Sequence, residues 1–170
     1  MRANRGAFPY FPEMPLASLD TTEVFLIASL RLCNSGEHDP GNELPRWRCG
    51  FAHARISLSG VLAFERFCRM IALAAERAPG VRGLTCERLS ADETVLLLTL
   101  GCAQHEQLGA AGSVLRQLCP APAVRLAMHP AHELVGALSA RRMWVPLRLR
   151  ADTSGAPVIW DSQAGIGRAH

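Results

Sequence analysis

The sequence predicts a mainly α-helical single domain: a bundle of five to six helices, two apolar helices at its centre, and a short C-terminal β-hairpin. Three observations carry this. Two capping boxes, Asp20-Thr21-Thr22-Glu23 and Ser90-Ala91-Asp92-Glu93, each stand directly before an apolar run. Two further stretches, 61–74 and 124–138, repeat apolar residues at helical spacing. The 170 residues, 49% apolar and 19% charged, have the length and balance of one globular domain whose core needs no metal or disulfide staple.

Residues 1–19 read as an extended arm. Phe8-Pro9-Tyr10-Phe11-Pro12 and Met14-Pro15-Leu16 place prolines about every third residue, which forbids a helix and favours extended backbone. Its aromatics Phe8, Tyr10 and Phe11 are expected to pack on their own domain or on a second subunit. Residues 20–142 form the helical domain. Asp20 opens a helix over 21–33 in which only Ser29 and Arg31 interrupt the apolar surface after Val24, and Asn34-Ser35-Gly36 ends it. Residues 34–50, with Gly36, Pro40, Gly41, Pro45 and Gly50, read as a long loop. Ser57 or Ser59 caps the next helix, with a stripe of Val61, Phe64, Phe67, Cys68 and Ile71, and Ala78-Pro79-Gly80 stops it.

Residues 84–88 alternate weakly, as one short strand would. The Ser90 box then opens a helix over 91–104 that is apolar on every side, and a further helix covers roughly 106–119. The pattern over 124–138 runs through Pro130, so the chain there is either one kinked helix or two with Pro130 opening the second. Residues 143–170 belong to the same domain as a hairpin and frayed tail: Leu147-Arg148-Leu149-Arg150 alternates, Thr153-Ser154-Gly155 turns, and 157–160 is strand-like.

All 18 basic residues are arginine. Chemistry that requires a lysine amine, such as a Schiff base or a P-loop, is excluded. The skew toward Arg, Ala, Gly and Pro suggests a bacterial, GC-rich source. The net charge of +3 lies entirely in residues 120–170, where six arginines face three acids. Arg141, Arg142, Arg148 and Arg150 cluster there as a partner or anion surface, suited to an acidic protein or to nucleic acid phosphates. A helix end followed by a basic hairpin resembles a winged helix in outline. Arg141 and Arg142 also complement the negative end of a helix with no partner at all.

No apolar segment follows Arg2 and Arg5 as in a secretory signal, and no apolar run approaches the roughly 18–20 residues of a membrane span, so a cytoplasmic protein with no membrane contact is expected. The six cysteines are scattered almost evenly and read as reduced, buried thiols. His105-Glu106 and His132-Glu133 begin like zinc-protease motifs, but Gly109 and Gly136 stand where the second histidine belongs. A looser metal set is Cys102 with His105 and His129 with His132, each pair three residues apart on a helix. Cys49 and His53 beside Arg46 and Arg48 lack a third group to position them, and Glu37, Asp39, Asn42 and Glu43 lack the EF-hand order. No cofactor motif is present. The expectation is a non-catalytic interaction or regulatory module that self-associates, the alternatives being a nucleic-acid-binding regulator and a metal- or thiol-dependent enzyme.

Overall fold

The computed structural model describes residues 9–11, 13–36, 45–148, 150–151 and 157–158. Among them six α-helices follow one another: α1 (Thr21–Ser35), α2 (Arg46–His53), α3 (Leu58–Ala74), α4 (Ala91–Gln104), α5 (Leu108–Leu115) and α6 (Ala121–Ala140). The order long, short, long occurs twice, with 15, 8 and 17 residues and then 14, 8 and 20. α3 lies along α6, α4 touches α1, α5 and α6, and α2 leans on α1. The protein is thus a helical bundle, as its periodicity predicts.

Both capping boxes start their helices. The Glu23 carboxylate accepts the Asp20 N–H at 2.6 Å. Ser90 Oγ accepts from Glu93 N at 3.0 Å, and Glu93 accepts from Ser90 N at 2.9 Å. α4 is the central helix: every residue from Val95 to Gln104 is buried, and its own chain covers it. α1 is less enclosed, with Val24 and Ala28 exposed. The two apolar helices are therefore not equivalent, and α4 does not require a second subunit to cover it.

The segment 34–50 is not all loop. Residues 37–44 lie outside the described residues, but Arg46 to His53 form α2. Trp47 and Phe51, four residues apart, are both buried and build an aromatic cluster with Phe64 and Phe25 at centroid separations of 4.9–5.7 Å. Gly50 faces the Phe25 ring, where an added Cβ would sit 3.6 Å from it. α6 is a single helix with Pro130 buried inside it. The arm is docked through its backbone: Leu16 N–H donates to the Glu87 carbonyl (2.8 Å) and Leu89 N–H to that of Met14 (2.9 Å). Residues 84–88 thus contribute one bridge, Pro15 to Arg88, rather than a strand. Past residue 142 the chain has no regular structure through Arg148, then Arg150–Ala151 (β1) pairs antiparallel with Pro157–Val158 (β2). Among the described residues no helix is long and apolar enough to cross a membrane.

A buried ion pair ties α1 to the start of α4. Arg31 donates from Nε to Glu93 Oε1 at 2.7 Å and from Nη2 to Oε2 at 2.9 Å, and neither side chain meets solvent. The same guanidinium donates to the carbonyls of Arg88 (2.8 Å) and Gly83 (3.3 Å). Glu93 takes a further bond from Arg82 N at 3.1 Å. Arg31→Met strands a buried carboxylate and should cost about 3–5 kcal/mol in urea unfolding, part of which the double variant Arg31→Met/Glu93→Gln regains.

Close approach sets the α3–α6 contact. A Cβ on Gly60 would fall 2.6 Å from Ala137 Cβ and 2.7 Å from Ile56 Cγ2, all packed atoms with no room to yield. Gly60→Ala, which would stabilise an exposed helix, should here lower stability by about 1–3 kcal/mol, read as a lower urea midpoint at unchanged slope.

Candidate functional site

The four clustered arginines do not share a surface. Arg141 and Arg142 follow the last turn of α6 and are exposed, Arg142 in the left-handed region at φ 59°. Arg150 opens β1. Arg148 points inward and is 6% exposed. Its Nε donates to Glu23 Oε1 and its Nη2 to Glu23 Oε2, both at 2.7 Å. The expected basic strand face is corrected on this point: the charge of Arg148 is spent on a buried carboxylate and is not presented to a partner. Alternation through Leu147–Arg150 suggested an outward arginine, whereas the unpaired need of Glu23 draws it in.

Tyr10 completes that cluster. Its hydroxyl donates to Glu23 Oε1, and the Arg148 guanidinium carbon lies 5.5 Å from its ring centroid. Of the three arm aromatics, Phe8 lies outside the described residues, Tyr10 is buried in its own chain, and Phe11 is 46% exposed.

The metal set does not gather. Cys102 is fully buried in α4, and burial pushes its thiol up to about 11. α4 ends at Gln104, so His105 turns outward, with Nε2 3.3 Å from the Val145 carbonyl, and the i,i+3 geometry is lost. His129 and His132 are exposed on α6. Among the described residues no three His, Cys, Asp or Glu side chains could hold a metal ion. The His53 ring engages the backbone: Nδ1 is 2.8 Å from the Cys49 carbonyl oxygen. Glu37, Asp39, Asn42 and Glu43 lie outside the described residues.

Two arrangements emerge that spacing did not reveal. The first is the outer side of the α3–α6 pair. Arg66 on α3 reaches Glu133 on α6 at 3.0 Å. Leu73 is seven residues after Arg66, and Leu126 seven before Glu133. Gly60 against Ala137 and Arg66 against Glu133 make the two helices antiparallel, and in that register the two leucines stand at matching positions, two turns from the ion pair. They are 76% and 63% exposed, and Leu62 and Leu58 extend the same ridge of α3 one and two turns the other way. The helical stripe over 61–74 was legible, but which leucines stay outside it depends on where α6 lies.

The second is a thiol pair. Cys33 in the last turn of α1 and Cys68 in α3 stand at one site and shift each other's ionisation, although 35 positions separate them. Both line a pocket of about 300 Å³ between α1, α3 and the segment after α3, walled by Leu30, Ile71 and Leu96.

No protein family, curated protein or solved structure matches the chain. The reading of its sites therefore rests on their own chemistry.

Tyr10 is the one tyrosine of the chain, so its ionisation can be followed by ultraviolet absorbance without assignment. Burial, and next the Glu23 carboxylate, hold its pKa well above the ordinary value of 10.0. Above that value the unfolded chain ionises first, so stability present at lower pH is lost as pH rises toward the folded pKa. The native protein should show no tyrosinate at pH 10, and Tyr10→Phe should flatten the alkaline fall in stability. Half-ionisation of native Tyr10 near pH 10 would mean that the arm is not docked.

Proposed function

We propose that this protein is a non-catalytic interaction module that self-associates through the outer side of the α3–α6 pair. The observation that supports it most is the exposed set Leu58, Leu62, Leu73 and Leu126 on the two longest helices, beside the Arg66–Glu133 pair. A two-fold dimer needs a self-complementary patch, and this one offers apolar surface together with one charge of each sign. The apolar helix α4 is covered by its own chain, so self-association rests on this face and on the exposed Phe11. The arginine-only basic set supports a bacterial source, and six cysteines in thiol form fit a cytoplasmic setting.

Sedimentation over a wide concentration range should show reversible association in the native chain and monomer in Leu73→Gln/Leu126→Gln, with the urea midpoints of the two nearly equal because both positions are exposed. A monomer at every concentration would overturn the proposal.

A further inference from the structure

We propose that Cys33 and Cys68 form a thiol–disulfide exchange site whose substrate is a low-molecular-weight disulfide carrying carboxylates. Both thiols are partly accessible and both open on the same pocket, which sets them apart from Cys102 and Cys119 in the core. The pocket has an apolar wall for the carbon skeleton of a ligand and a polar rim of Asn34, Glu65 and Arg69. Glu65 is engaged by Arg48. Arg69 is exposed and makes no ion pair among the described residues, which leaves a guanidinium beside the thiols for a substrate carboxylate.

The two thiols differ in the way that exchange requires. The neighbouring Cys68 thiol draws the Cys33 thiol below its usual range, against burial and Glu65, and Arg48 assists. Cys33, and next burial, push the Cys68 thiol well up, which keeps it protonated. Cys33 is thus the attacking sulfur. Its thiolate bonds to one sulfur of the substrate disulfide, whose S–S bond breaks and releases one thiolate, which takes up a proton. Cys68 then gives its proton to solvent and attacks Cys33 Sγ, breaking the mixed disulfide and releasing the second substrate thiolate, which is protonated in turn. Two protein thiols are oxidised to one disulfide, and one small disulfide is reduced to two thiols. The product ties α1 to α3.

The test uses the full-length protein with oxidised glutathione, read by intact mass and by peptide mapping without reductant. The native chain should lose two thiols and yield a Cys33–Cys68 cross-linked peptide. Cys68→Ser should stop at one glutathione on Cys33, whereas Cys33→Ser should leave Cys68 as a thiol over the same time. Glutathione spread evenly over the six cysteines, or Cys33 and Cys68 both remaining thiols, would overturn the site. Arg69→Gln should slow the reaction roughly three- to tenfold with oxidised glutathione and leave that with uncharged 2-hydroxyethyl disulfide unchanged. Equal slowing with both, or with neither, would overturn the carboxylate preference.

Discussion

At the start of α1 and again at the start of α4, a glutamate that any capping box would leave at the surface is instead buried completely and gripped by an arginine from far along the chain. Burying such a carboxylate alone would cost several kcal/mol, so the rest of the architecture answers to it. Glu93 gathers Ser90 N, Arg82 N and both arms of Arg31. Glu23 gathers Asp20 N, Tyr10 and both arms of Arg148. These contacts organise stretches that have no regular structure. Arg31 supplies donors to the carbonyls of residues 83 and 88, and Arg148 brings the chain after α6 back to the first helix. Gln104 does the same locally, donating to the Met143 carbonyl at 2.8 Å and accepting Val145 N–H at 2.7 Å.

What could be read from the sequence follows the range of the interactions. Capping boxes are local, so the starts of α1 and α4 were legible at Asp20 and Ser90. Helical stripes are nearly local, so α3 and α6 were legible, and Pro130 left open only whether α6 was broken. α2 was missed because its apolar signal is just Trp47 and Phe51, set among Pro45 and Gly50. The role of Arg148 was misjudged for a different reason. Alternation marks a strand face only when a strand forms, and here the destination of the side chain is a carboxylate 125 positions away. Nothing local could have joined Cys33 to Cys68 or set Leu73 beside Leu126, since each juxtaposition exists only once the helices have packed.

α3 concentrates much of what distinguishes this molecule. Its inner side carries Gly60 against Ala137, which lets the two longest helices approach closely. Its outer side carries Leu62, Arg66 and Leu73. A third side turns Glu65, Cys68 and Arg69 toward α1 and the thiol pocket. A cross-link at Cys68 would fix one side of a helix whose opposite side is exposed, so thiol chemistry and surface contacts on α3 share one rigid body.

The reach of the Glu23–Arg148 pair also orders events during synthesis. A ribosome delivers the chain from its N-terminus, and α1 has emerged long before residue 148 has been made. Glu93 finds Arg31 already waiting when it appears. Glu23, by contrast, must stay hydrated through the making of five further helices, and only then can it be enclosed. The first helix of the chain is in this sense the last to be finished, and the fold closes where it began.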